Sequence, residues 1–313
     1  YMKFITRKLL SFIATLIIIS MLIFFIFNIL PGNPALSILG LDADPSEIAR
    51  LEASLGLDQP LPNRYVDWVT GIFTGDFGES YRYRAPVLDI ILERIPLSMF
   101  IGIYSLVLTL IIGIPLGIII ARTDGKWYSL VMNILTQLGI STPSFWIGFL
   151  LIFIFAVMLG WFPTYGFTHW TESIPGALRS LFLPSFAIAI TNIAVVIRYL
   201  RNSILDEYKK EYIKLARMKG LTVREITYRH VLRNSIMPVL TIIGLITADT
   251  MVGTIIIENV FALPGLGTLL VSSIEYRDFP LIQTLVMIVA IIIIVVNLLV
   301  DVLYRVVDPR VKL

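Results

Sequence analysis

The sequence predicts an all-α integral membrane protein built on six transmembrane helices. Its 313 residues are 57% hydrophobic, with a mean hydropathy of +0.86, and soluble domains seldom exceed about half apolar residues. Several apolar runs reach the roughly 20 residues that cross a bilayer as a helix. No long lipid-facing strand pattern appears, and helices satisfy their own backbone in lipid.

The spans are expected at Leu9–Ile29, Ser98–Ala121, Ile134–Leu159, Leu181–Leu200, Val239–Ile257 and Leu281–Tyr304. The first is too long for a signal-peptide core and lacks a convincing cleavage site, so it reads as a retained anchor. Tyr1, ahead of Met2, reads as an added residue. Six spans put both termini on one side, and positive charge says which side is inside. With the termini inside, the inner segments hold 18 of the 25 Lys and Arg residues and the outer segments seven. The outer stretch from Asp42 to Glu93 alone carries ten acids. The expected organisation is therefore a cytoplasmic 1–8, an extracytoplasmic loop over 30–97, a cytoplasmic loop over 201–238 and a cytoplasmic tail over 305–313. One transmembrane domain covers 95–304. The second span contains Gly113, Pro115 and Gly117, and the third contains Gly139 and Thr142-Pro143-Ser144. Such breaks either expose backbone to a transport cavity or are ordinary kinks relieved by neighbouring helices.

In the outer loop, Asp44 is placed to cap a helix, with Pro45 at its first position and Glu47 completing the box. Gly56 is placed to end that helix. A second helix over Asn63–Phe73 aligns Tyr65, Trp68, Val69 and Ile72. That stripe suits a helix at the membrane surface or one packed on the bundle. Gly75-Asp76-Phe77-Gly78 reads as a turn.

The inner loop between the fourth and fifth spans is charged yet patterned. Residues Ser203–Lys219 predict a helix with Ile204, Tyr208, Tyr212, Leu215 and Met218 on one apolar face. Gly220 fits the residue just past its end. Thr222 and Glu225 form a capping box for a second helix, expected to end at Asn234 or Ser235. Pro238 then suits the first turn of the fifth span. The product is a helix–Gly-Leu-Thr–helix elbow. A solvated basic loop needs neither caps nor stripe. A DNA-binding helix-turn-helix needs its own core and free ends. A rigid knob that carries motion from a soluble partner into the spans uses all of these features.

Several chemistries are missing. With no cysteine, disulfides and thiolate metal sites are excluded. There is no phosphate-binding Gly-x-x-x-x-Gly-Lys-Ser/Thr loop, no His-Glu-x-x-His and no Gly-x-Ser-x-Gly elbow. His169 and His230 fall on opposite sides of the membrane in this topology and make no common metal site; His169 is expected on the surface and His230 packed in the elbow. Asp249, near the middle of the fifth span, is a functional candidate because a carboxylate in lipid is costly. Neutralisation, or pairing with Asn192 or a partner subunit, would also account for it. Asp301 and Arg305 are spaced as an ion pair. No chain of acids crosses the spans, which disfavours a proton-driven carrier.

The pattern Tyr212 … Ala216-Arg-x-Lys-Gly-Leu221 … Arg229-His-x-Leu-Arg-Asn234 … Pro238 resembles the conserved loop of binding-protein-dependent ABC importer permeases, in the dipeptide, oligopeptide and nickel subfamily. Leu30-Pro-Gly-Asn-Pro34, Gly75-Asp-Phe-Gly-x-Ser80 with Pro86-Val, Glu258-x-Val-Phe-x-x-Pro-Gly-Leu-Gly267 and Arg277-Asp-Phe-Pro280 agree with it. The resemblance is to the subunit with the long first outer loop. Lys214 and Asn33 stand where the wider family often has acids.

The resemblance implies a type I importer permease fold, with the elbow coupling it to a separate ATPase. Tyr212, Leu215, Ala216, Arg217, Lys219, Gly220, Leu221 and Arg224 would be the coupling residues. Arg217, Lys219 and Arg224 would meet acids, while Ala216 and Gly220 would allow close packing. Asn192 and Asp249 are the pathway candidates. Implied partners are a second, related permease, two ATPase subunits that bind ATP and Mg, and an extracytoplasmic solute-binding protein. No cofactor is expected in this chain, no metal site and no nucleic acid. The expected setting is a bacterial or archaeal cytoplasmic membrane. The expected cargo is di- or oligopeptides, with nickel chelates, glutathione or oligosaccharides as alternatives. A stand-alone carrier or channel is the competing class.

Overall fold

The apolar runs fold as helices, but their ends and breaks differ from the hydropathy pattern. The computed structural model describes residues 2–29, 34–40, 43–54 and 56–307. Leu30-Pro-Gly-Asn33 of the Leu30–Pro34 motif and the tail from 308 lie outside the described residues, as do the side chains of the expected Asp301–Arg305 pair. In chain order the helices are α1 (Met2–Ile29), α2 (Pro34–Leu39), α3 (Pro45–Ser54), α4 (Leu61–Thr74), α5 (Val87–Arg122), α6 (Trp127–Ser141) and α7 (Ser144–Leu151). They continue as α8 (Ile174–Tyr208), α9 (Glu211–Met218), α10 (Val223–Ile226), α11 (Leu232–Val260), α12 (Leu266–Glu275) and α13 (Phe279–Val307). Among the described residues, five helices are long and apolar enough to cross a membrane, or six if the bent α6–α7 pair counts as one span. The all-α membrane fold class therefore holds.

The third span departs most from expectation. The sequence suggests one span over Ile134–Leu159, interrupted at Thr142-Pro143-Ser144; the chain makes two helices there, bent by 109°. Pro143 lacks an N–H and pushes its predecessor out of the helical region. Thr142 accordingly sits at φ −98°, ψ 125° and ends α6. Beyond α7 the helix widens into a π-helical stretch, Ile152–Met158.

The chain divides into two compact units: Tyr1–Pro96 with Pro264–Val295, and Leu97–Leu263 with Val296–Leu313. In the first, Asp44 caps α3 by accepting the Ser46 N–H at 2.8 Å. The α4 stripe is consumed by packing on α1: Tyr65 and Ser20 share a hydroxyl hydrogen bond of 2.8 Å, and Phe24 meets the Tyr65 ring edge-on. Two motifs far apart in sequence meet here. Asp278 is fully buried. It accepts the Ser80 hydroxyl at 2.5 Å and the N–H groups of Tyr81 and Arg82, each at 3.2 Å. The Tyr81 phenol is pushed up to about 12, by burial first and then by the Asp278 charge. Val87, Ile91, Leu266, Leu269, Leu281 and Leu285 form the core behind this latch.

In the second unit α8 is the central helix, buried along most of its length despite Pro184 in its interior. Helices in lipid associate through close packing of small residues rather than through water exclusion. Gly139 of α6 meets α8 this way: a Cβ there would lie 3.0 Å from that of Ala194. Glu258, fully buried on α11, accepts the Ser98 hydroxyl at 2.5 Å.

Candidate functional site

The elbow lies in the second unit. The expected Ser203–Lys219 helix is split: α8 ends at Tyr208 and α9 starts at Glu211. The N–H groups of Lys209 and Lys210 turn back to the carbonyls of Asp206 and Glu207, which tightens the last turn. Glu207, beyond the predicted fourth span and 5% exposed, holds this corner. Its carboxylate takes the Tyr212 hydroxyl, the Asn234 Nδ2 at 3.0 Å and the Lys210 Nζ at 2.6 Å. Burial pushes its pKa up, but these hydrogen bonds and the Lys210 charge hold it below the usual carboxylate range.

The apolar stripe also divides. Ile204 is fully buried, whereas Leu215 is 56% and Met218 85% exposed. The break at 209–210 rotates α9, so Ile213 and Ala216 become its buried face. They pack with Ile226, Val231 and the half-buried Leu221. Burying Ile213 and Ile226 contributes about 1.5–3 kcal/mol each.

Gly220 closes α9 at φ +81°, and Leu221 N–H returns to the Ala216 carbonyl at 3.3 Å. The Thr222–Glu225 capping box is present as expected. The helix it starts does not stop at Ser235. It runs through a π-helical turn, Thr227–Val231, directly into α11, with Pro238 inside. Hydrogen bonds stitch the stem: Ser203 and Ser235 each donate a hydroxyl to the other's carbonyl, and the Tyr208 and Thr227 hydroxyls are bonded.

The outward surface of the elbow therefore combines Leu215, Met218 and Val223, all exposed apolar side chains, with Arg217, Lys219 and Arg224, exposed and without an ion pair among the described residues. Tyr212 serves the Glu207 corner and Ala216 the buried face. The sequence reading did not single out Glu207 or Val223. The spacing of Glu207 to Lys210 and Tyr212 is visible in the sequence, but the convergence of Asn234 is not. His230 is half-buried in the elbow, and His169 is exposed, paired with the Thr171 hydroxyl at 2.7 Å.

A second feature of this unit is a cavity of about 510 Å³, within the roughly 300–1,000 Å³ typical of small-ligand sites. The α6–α7 break, α8 and α11 line it, and both Asn192 and Asp249 face it. Asn192 does not pair with Asp249. Its Nδ2 donates to the Thr250 hydroxyl at 2.9 Å. Asp249 has no hydrogen-bond or ion-pair partner among the described residues. Within those residues no group of three or more His, Asp or Glu side chains is placed to hold a metal.

Comparison with known proteins places these features in context. Residues 113–313 match the family model of binding-protein-dependent transport system inner membrane components, and residues 1–102 match its N-terminal companion. A Brucella abortus protein named as a peptide transport system permease is 36% identical over 98% of both chains. The glutathione transport system permease protein GsiC of Escherichia coli is 38% identical over 99% of both. Among solved structures, a chain of the MetNI methionine ABC transporter in an inward-facing form superposes with a TM-score of 0.57, at 15% identity, over 70% of this chain and 96% of that one.

Proposed function

We propose that this chain, which belongs to the binding-protein-dependent transport system inner membrane component family, is a permease subunit of an ATP-driven importer of short peptides. The observation that carries the reading is the elbow. Its inner face is packed, its turns are capped, and its outer face leaves Leu215, Met218 and Val223 uncovered beside three cations that have no ion-pair partner among the described residues. An exposed apolar patch rimmed by charge suits a protein partner. The chain has no phosphate-binding loop, so ATP and Mg belong to the partner ATPases and the chain itself is not an enzyme.

In this reading the elbow seats in an ATPase subunit on the cytoplasmic side, the side favoured by the distribution of Lys and Arg. A second, related permease completes the pathway, two ATPases drive alternating access, and an extracytoplasmic solute-binding protein delivers cargo. The cavity with Asn192 and Asp249 lies on that pathway. Both termini are cytoplasmic, in a bacterial or archaeal inner membrane. The relatives named for peptide and glutathione transport support a peptide cargo.

The test is Leu215→Glu with Met218→Glu in the complex assembled with its ATPases, second permease and binding protein. Both side chains are exposed, so the elbow should stay folded while ATPase co-purification and ATP-driven peptide uptake are lost. Full assembly and uptake would overturn the coupling role. Uptake that needs no ATP would instead favour a stand-alone carrier.

A further inference from the structure

The polar lining of the cavity is richer in acceptors than in free donors. Ser141, Thr142 and Thr250 each donate their hydroxyl proton to a helix carbonyl, those of Gln137, Leu138 and Ile246, at 2.7–2.9 Å. Their oxygens are left as acceptors only. Because the Thr250 proton is committed, its oxygen can only accept, so Asn192 must offer its NH₂ group there. No hydrogen bond among the described residues engages the Asn192 Oδ1. Asp249, when ionised, is also acceptor-only. Among the lining residues there is no Lys, Arg or His, and only Ser144, Thr191 and Tyr199 keep an uncommitted hydroxyl proton.

A carboxylate at this depth faces a cavity or a counter-charge, and this cavity supplies acceptors without a cation. An anion would meet repulsion and few donors. A group bringing several N–H donors and a positive charge would satisfy the lining. We propose that the cavity receives the protonated amino group of the cargo, with Asp249 as its counter-ion and the Asn192 amide oxygen and neighbouring hydroxyl oxygens as further acceptors. This rests on the permease reading for the word cargo; the acceptor field itself does not.

The absence of cysteine gives a direct test. Ser141→Cys and, separately, Val195→Cys are placed in the complex assembled with cysteine-free partners. Modification rates are measured with cationic and anionic methanethiosulfonates of similar size. The cation-to-anion rate ratio should fall at least about ten-fold when Asp249→Asn is added and be kept by Asp249→Glu. Trialanine should slow the cationic reagent, N-acetyl-trialanine should not, and Asp249→Asn should abolish the difference. An unchanged ratio would mean that Asp249 is neutral or already paired with another subunit, and would overturn the proposal. So would a cavity that neither reagent reaches in any nucleotide state, or trialanine that protects no better than its acetylated form. These readouts need no uptake, so a failed ATP-driven uptake assay faults the importer reading alone.

Discussion

Two buried carboxylates tie down loops in this protein, and they do it differently. Asp278, in the first unit, is held by two backbone N–H groups and one short serine hydroxyl. Glu207, in the second, is held by the side chains of Tyr212, Asn234 and Lys210. A backbone-bonded latch has few rotamers to lose and sets the path of the chain itself. It also sits beside residues that need such support: Arg84 and Arg277 adopt left-handed backbone at φ +50° and +53°, a conformation costing about 1–2 kcal/mol for a non-glycine residue. A corner held by side chains, one of them a lysine in solvent, fixes the path of the elbow without engaging its exposed face. The Asp278 latch fixes a backbone shape, whereas the proposed coupling role asks the elbow to pass a movement on.

Breaking the latch should have the largest effect. Asp278→Ala leaves buried donors without an acceptor, and hydrogen bonds to a charged group contribute about 1.5–3 kcal/mol each. A loss of at least about 3 kcal/mol is expected, read as a lower unfolding temperature of the purified complex. An unchanged temperature would show that the latch is dispensable.

Gly220 comes next. A Cβ there would meet nothing within 4 Å, so the cost of replacing it is purely conformational, about 1–2 kcal/mol. Gly220→Val should reduce peptide-stimulated ATPase and uptake while assembly is retained. Gly220→Asn should be milder, because Asn tolerates left-handed backbone. Equal behaviour of the two variants would point away from the dihedral angle.

Thr222→Ala removes the elbow's second cap. About 1 kcal/mol is expected, seen as roughly five-fold faster hydrogen exchange at the Glu225 amide. Faster exchange spread over the whole stem would make the cap part of a larger cooperative unit.

The smallest effect concerns pH. The Glu207 pKa is lowered in the folded state. Its contribution is therefore complete above the ordinary glutamate value of about 4.3 and lost as pH falls through the lower folded value. Glu207→Gln should lower stability at neutral pH, converge with the parent below the folded pKa and so flatten that acid limb of the profile. An unaltered acid limb would assign the limb to other carboxylates.

Much of the elbow was legible in the linear sequence. Gly220, Thr222 and Glu225 act within a few residues of themselves, so their turn and cap chemistry could be read directly. The break at Thr142-Pro143 was visible as a break, though not as a 109° bend. The stripe was misread at α9 because helical spacing assumes an unbroken helix. Once Lys209 and Lys210 turn the chain, Tyr212, Leu215 and Met218 no longer follow Ile204 into the core.

The sequence by itself determined the membrane class, the local caps and the family, because hydropathy, turn chemistry and motif spacing are properties of neighbouring residues. The tertiary structure alone decided which distant groups meet. Asp278 with Ser80, Glu207 with Asn234 and Asn192 with Thr250 pair across 198, 27 and 58 positions. No local pattern specifies such contacts, because they depend on how whole helices pack. The acceptor character of the cavity follows from the same contacts, since a hydroxyl becomes an acceptor only once its proton has been given elsewhere.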